Sequence, residues 1–462
     1  MSTRSYLYGC LALSLCAIVA CQKDQTAVTE NLPKADFDFV ILNPGQLPDT
    51  VNFKARLIAS TTYEWDFDSG MKSDLPNPQI IYRDIKTYNV KLTIRNKNGV
   101  DTLTKQVNIT LNKPNTIFDI SIPNQELLPA TAVVNNRTTG SNITYKWTVG
   151  GANASTLKTP SLIFSQPGIY DVKLITTNAS GTDSLTKQVR IWPYTLPYRT
   201  FAAAQTDLFA WEGNKVMILS RNRTLERTVM VKWLKAMDDC YEYYALCTGR
   251  TPTPNAPNYF INGRSTIADV ASTCGAACGY LGFTGIEIQN TYFDIVYNRI
   301  RTKNEFEHFP FYEFGRNFWF YGDKIAYKAN DPTATGFAIF MGFMAMKGAE
   351  VVGSSSSFQE TEIDKYLADP SKTWANTLGA GQTADLFASF CFRLARDHGG
   401  ENFVRNLWKK IGARPNAQST QDAVDNFILA SCAAANKNIT TVFTGWRWPI
   451  SAKAIDEAKQ YP

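Results

Sequence analysis

The side chains best placed for chemistry stand in one run, residues 304–319, Asn-Glu-Phe-Glu-His-Phe-Pro-Phe-Tyr-Glu-Phe-Gly-Arg-Asn-Phe-Trp. Read as a helix, it sets Tyr312 and Arg316 one turn apart on a face that also carries Glu313 at its side. That is the spacing at which a His-Glu-x-x-His helix holds zinc and activates a water. Here both histidine positions are substituted. A guanidinium stays protonated and repels a cation, and without a metal-bound water Glu313 has nothing comparable to deprotonate. Three readings stay open. The helix is structural, with Glu313 paired to Arg316 inside a partly buried surface; or Tyr312, Glu313 and Arg316 line a cleft that binds rather than cuts; or Glu313 is catalytic by a route that needs no metal.

Other reactive types are scarce. His308 and His398 are the two histidines of the chain; His308 lies a turn off the ligand frame, and no replacement pair is evident. Of nine cysteines, Cys240, Cys247, Cys274, Cys278, Cys391 and Cys432 lie in the last half. Cys274-Gly-Ala-Ala-Cys278 has no second close pair at zinc-ribbon spacing, so these cysteines read as structural, with disulfides permitted but their connectivity undetermined. Asp66 and Asp68 alternate on a strand and are either a calcium site or solvated carboxylates. No cofactor is expected.

The elements that must position residues 304–319 form an α+β domain, residues 195–462. Apolar residues recur at helical spacing over 224–246, including Val229, Val231, Trp233, Leu234, Met237 and Tyr241, and again over 383–396. Short strands are expected at 215–220, 267–270 and 286–288. Upstream the pattern is different. Residues 88–109, Tyr-Asn-Val-Lys-Leu-Thr-Ile onward, recur in register at 170–191, Tyr-Asp-Val-Lys-Leu-Ile-Thr onward, which marks a tandem duplication. Tyr88, Val90, Leu92 and Ile94 alternate onto one strand face, Asn98-Gly99 is expected to turn the chain, and 103–109 returns as a second strand. Each copy is thus a small antiparallel sandwich, 34–112 and 115–192, with Trp65 and Trp147 at equivalent core positions.

Within these copies Trp65-Asp66-Phe67-Asp68-Ser69-Gly70 and Gly168-Ile169-Tyr170-Asp171-Val172 resemble the hallmark strands of the polycystic kidney disease (PKD) domain, an immunoglobulin-like sandwich. The first copy has Lys86-Thr87 where the glycine is expected, and the second lacks the acidic pair. The resemblance implies spacers or modest binding modules on a secreted protein. In the third domain Tyr312-Glu313-Phe314-Gly315-Arg316-Asn317 keeps the Glu, Gly and Asn of a His-Glu-x-Gly-His-Asn run and so resembles gluzincin metallopeptidases, especially enhancin-like enzymes that cut mucins and other glycoproteins. Thr335-Gly336-Phe337-Ala338 stands where those enzymes place a third ligand, a Glu, and residues 438–450 resemble the end of their helical subdomain. The resemblance implies a zincin-like, largely helical fold that lacks its zinc ligands, with Thr335 joining Tyr312, Glu313 and Arg316 in the cleft.

Composition bounds the partners. The chain is 44% hydrophobic and 19% charged, as folded globular protein is, and its net charge of +6 is spread over 462 residues. It has no clustered Lys/Arg run of the kind that neutralises a phosphate backbone, so nucleic acid is excluded. The first residues form an address. A basic start at Arg4 precedes an apolar stretch, 6–20, too short to span a bilayer, and Ile18-Val19-Ala20-Cys21 resembles a bacterial lipobox. That resemblance implies a signal peptide, 1–20, acylation of Cys21 and a tether, 21–33. Gln22-Lys23-Asp24 resembles the surface-export signal of Bacteroidota lipoproteins. The expectation is an outer-membrane lipoprotein facing the cell exterior, held to the membrane by lipid alone, that binds an extracellular glycan, glycoprotein or peptide; the alternative is an active extracellular hydrolase with a non-standard site.

Overall fold

The computed structural model describes residues 32–59, 61–125, 127–326, 331–353 and 360–462. The leader, Cys21 and the tether up to residue 31 lie outside the described residues. Two compact units are formed, one built on the first sandwich with segments 138–144 and 176–183, the other on 117–137, 145–175 and 184–462.

Strict alternation builds the first sandwich from β1 (Phe37–Ile41), β2 (Asp49–Ala55), β3 (Thr62–Asp66), β4 (Lys72–Ser73), β5 (Gln79–Tyr82), β6 (Lys86–Asn96) and β7 (Gly99–Ile109). One sheet has the order β1-β2-β5 and the other β4-β3-β6-β7. Tyr88, Val90, Leu92 and Ile94 of β6 are all buried. Their core is centred on Trp65, set edge-on to Phe37 at 4.9 Å, its indole N–H donating to the Leu75 carbonyl at 2.9 Å. The second copy repeats this. Its strands are β8 (Phe118–Ser121), β9 (Ala130–Asn136), β10 (Thr144–Val149), β11 (Ala152–Ser155), β12 (Leu162–Phe164), β13 (Gly168–Asn178) and β14 (Gly181–Ile191), in sheets β12-β9-β8 and β11-β10-β13-β14. Trp147 meets Phe118 at 4.9 Å and donates to the Leu157 carbonyl at 2.9 Å. The β6–β7 turn corrects one expectation. Asn96 pairs with Gly99, so Lys97 and Asn98 make the turn, closed a residue early because the Asn96 side chain accepts from the Asn98 N–H.

The third domain starts from a mixed sheet. Its strands are β15 (Tyr194–Arg199), β16 (Gln205–Glu212), β17 (Val216–Ser220), β18 (Phe260–Ile261), β19 (Arg264–Val270), β20 (Ala277–Gly279) and β21 (Ile286–Gln289). The order is β15-β16-β17-β19-β21-β20, with β17, β19 and β21 parallel and β20 an antiparallel edge. Every residue of β17 is buried, the mark of a strand covered on both faces. The helices are α1 (Arg227–Thr248), α2 (Asn290–Lys303), α3 (Phe309–Asn317), α4 (Gly322–Ile325), α5 (Pro332–Gly348), α6 (Thr361–Ala368), α7 (Ala384–Asp397), α8 (Glu401–Gly412), α9 (Thr420–Ala435), α10 (Thr440–Gly445) and α11 (Ala452–Ala458). α5 is apolar almost all round and buries Phe337, Phe340, Met341, Ala345 and Met346, as a central helix must. Asp331 caps it by accepting from the Thr333 N–H, with Pro332 in its first turn.

The chain is therefore multidomain: two all-β sandwiches followed by a largely helical α+β region. The helix expected over 304–319 is shorter than that run. Asn304 ends α2 in the left-handed conformation, with φ 55°, and Pro310 starts the new helix, so α3 spans only Phe309–Asn317.

Candidate functional site

Local packing brings three of the four expected residues, Tyr312, Arg316 and Thr335, together. α3 and α5 approach closely because residue 315 is glycine: a Cβ there would stand 2.5 Å from the Ala338 Cα. One turn before Ala338, Thr335 consequently faces Arg316. The Arg316 Nη2 donates to the Tyr312 hydroxyl at 2.5 Å and to the Thr335 Oγ1 at 3.1 Å, and the guanidinium lies 5.2 Å from the Tyr312 ring centre. Tyr312, Arg316 and Thr335 are all half-buried, open to solvent on one side.

Glu313 faces elsewhere, which corrects the expected Glu313–Arg316 pair. Three residues apart on α3, the two side chains diverge: Arg316 is taken up by Tyr312 and Thr335, while the Glu313 carboxylate accepts from the backbone N–H of Gly279 on the edge strand β20. Glycine is required there, since a Cβ at 279 would stand 2.7 Å from the Glu313 carbonyl oxygen and 3.1 Å from the Arg316 Cβ. Glu313 is 6% exposed. Burial pushes its carboxyl up to about 7, against the opposing pull of the Arg316 charge and the Gly279 N–H. Cys278 of β20 forms a disulfide with Cys274, whereas Cys240, Cys247, Cys391 and Cys432 are buried free thiols.

The donor set does not fit the zinc that a His-Glu-x-x-His helix implies. Tyr312, Arg316 and Thr335 offer a phenol, a guanidinium and a hydroxyl, already hydrogen-bonded to one another, whereas zinc takes thiolate, imidazole or carboxylate. His308 is not a substitute. It immediately precedes α3, stacks on Phe343 at 3.8 Å and donates to the Ile339 carbonyl at 3.2 Å, and burial lowers its pKa to about 4, so it is a neutral packing residue. His398 ends α7. Among the described residues no three His, Cys, Asp or Glu side chains converge as a metal would need. Asp68 spends its carboxylate on Lys86 at 3.2 Å and on the Asn89 N–H, and Asp66 accepts from the Asp68 N–H.

Gly279 and the buried carboxyl of Glu287 were not singled out from sequence. Nothing local marks Gly279, whose role depends on β20 meeting α3. Glu287 carries a signal, an acid inside the apolar strand Ile286-Glu287-Ile288. It accepts from the Phe201 N–H at 2.7 Å and the Tyr198 hydroxyl at 3.2 Å, and burial raises it to about 7. A cavity of about 830 Å³ lies away from α3, lined by Gln188, Arg190, Lys235, Asp239, Glu212 and Arg264, among others. Lys235 pairs with Asp239 and Arg264 with Glu212. Such internal pairing leaves little charge for a ligand.

Comparison with known proteins agrees with the sandwiches. Residues 43–111 and 113–192 each match the PKD domain model, so the two sandwiches are PKD domains. Solved structures similar to this chain include a functionally unknown conserved protein from Bacillus anthracis, at 9% identity and TM-score 0.41, covering 76% of this chain and 71% of that one. A metallopeptidase in complex with Tn antigen is 12% identical, with TM-score 0.40 over 75% of this chain and 70% of its own. The M60 catalytic domain of Clostridium perfringens ZmpC, in complex with the sialyl T antigen, is 12% identical, with TM-score 0.40 over 76% and 74%.

Proposed function

We propose that this chain is a surface lipoprotein that binds an extracellular glycan, glycoprotein or peptide in the cleft of α3 and α5, carried outward on its PKD domains, and that it does not hydrolyse what it binds. One observation carries the reading: Arg316, one turn after Tyr312 on α3, donates to Thr335 of α5 at 3.1 Å, and the resemblance of residues 312–317 and 335–338 puts these two side chains where a second and a third zinc ligand would be expected. A cation has no seat there, whereas a half-buried guanidinium beside a phenol is an arrangement suited to a polar ligand. The choice of a glycan-bearing ligand rests on the enhancin-like motif of residues 312–317. The lipid anchor and outer-membrane location rest on 18–24, and no helix of the described residues is long and apolar enough to cross a membrane.

The purified chain should carry less than stoichiometric zinc, keep its melting temperature in chelator, bind mucin glycopeptides and leave them intact. One equivalent of tightly held zinc would overturn the reading. The alternative, an extracellular hydrolase with a non-standard site, draws support from Glu313, whose carboxyl at about 7 is matched to acid–base work near neutral pH. Cleavage of casein or mucin that Glu313→Gln abolishes would decide for it.

A further inference from the structure

We infer that the ligand of this cleft carries a carboxylate, and that Arg316 is the residue that reads it. The inference rests on the binding reading above and adds the ligand's charge. Arg316 is a half-buried cation that makes no ion pair: among the described residues no carboxylate oxygen comes within 4 Å of it, and Glu313, the acid whose charge it feels, acts on it only from beyond that distance. Both of its hydrogen bonds run from Nη2, to the neutral hydroxyls of Tyr312 and Thr335. Nη1 and Nε have no protein acceptor among the described residues, so donors of fixed direction remain for an incoming acceptor. The adjacent acid does not neutralise the charge. Glu313 is turned to the Gly279 N–H and is only partly ionised at neutral pH because of its burial.

The surroundings hold the guanidinium ready. Tyr312 lies against it at 5.2 Å, Thr335 fixes it from α5, and the Gly315–Ala338 contact fixes α5 against α3. Little rotamer freedom is left to lose on binding, which favours affinity for a matching anion. A neutral sugar would leave this preset cation unpaired; an acidic sugar or an acidic peptide would pair it in a charge-assisted hydrogen bond. The shared chemistry is one carboxylate at the end of the ligand.

The experiment titrates the full protein with five probes by calorimetry: a glycopeptide whose O-glycan ends in sialic acid, the same glycopeptide as its sialic acid methyl ester, the same after sialidase, an unglycosylated peptide with an acidic side chain, and that peptide with the side chain amidated. The sialylated glycopeptide or the acidic peptide should bind at least about tenfold more tightly than its neutral counterpart, and Arg316→Met should erase that preference. Whichever of the two binds names the source of the carboxylate. The ester arm uses the unaltered protein, so it holds even if the variant misfolds. Equal binding of acid and ester overturns the inference and leaves the receptor reading standing. No binding of any probe overturns both.

Discussion

Replacing Glu313 with Gln tests the electrostatics of the site through stability alone. The folded chain holds this carboxyl at about 7 in place of its ordinary 4.5. Because the folded pKa is the higher one, the native state binds the proton more tightly than the unfolded chain does. Stability is therefore full below pH 4.5, falls as pH rises through the interval, and levels above about 7. At about 1.36 kcal/mol per pH unit, that interval is worth about 3 kcal/mol. Glutamine has no proton to lose. The stability of Glu313→Gln relative to the parent should thus improve by about 3 kcal/mol between pH 4 and pH 8.5, whatever the fixed offset from exchanging the group. Glu287 and Asp269, also raised by burial, to about 7 and about 6, are present in both chains and cancel from the difference. Urea unfolding followed at both pH values, on a chain lacking residues 1–31, reads the quantity directly. A difference that stays flat within about 1 kcal/mol would mean that Glu313 ionises as it would in water, and the picture of a buried carboxyl under Gly279 would fall with it. In the same series Arg316→Met should steepen the loss above pH 7, since the cation that pulls the carboxyl down is gone.

The remaining tests are shorter. Trp65→Ala and Trp147→Ala should each cost about 3–5 kcal/mol, Trp65→Ala the more, because Trp65 packs on the rings of Phe37, Phe53 and Phe67 and Trp147 on that of Phe118, with hydrogen exchange accelerating in β3 and β6 for one and in β10 and β13 for the other. Gly279→Ala should destabilise by about 1–3 kcal/mol, since its new methyl would stand 2.7 Å from the Glu313 carbonyl oxygen of α3; an unchanged melting temperature would refute the close approach of β20 to α3. Without residues 1–31 the chain should resist thiol reagents when folded and yield the four buried thiols on unfolding in the absence of reductant. Cys21→Ala should release the full-length protein from membranes and remove acyl label; unchanged fractionation would sink the lipoprotein reading.

Repeat and alternation were enough for the two sandwiches. The 82-residue offset between Trp65 and Trp147 is kept by the carbonyl acceptors Leu75 and Leu157 and by the strands β6 and β13, because a strand's side chains alternate with a period of two whatever surrounds them. In the third domain α1, α7 and the strands β17, β19 and β21 were legible, since α1 and α7 bury stripes that a spacing of 3.6 lays on one face, while β15, β16, β18, β20 and most other helices were not. The neighbourhood of Tyr312 and Arg316, four apart on one helix, was legible as well. What residue spacing leaves open is which of two acceptors a long side chain chooses. Arg316 was as close in sequence to Glu313 as to Tyr312, and its direction was decided by Thr335 on another helix, admitted by the missing side chain of Gly315. Glu313 was likewise claimed by a backbone N–H of β20, 34 residues upstream in sequence. Charge pairing at a site is settled by long-range packing, since a hydrogen bond needs its partners within about 3 Å, and only the assembled sheet and helices bring Gly279, Glu313, Arg316 and Thr335 that close.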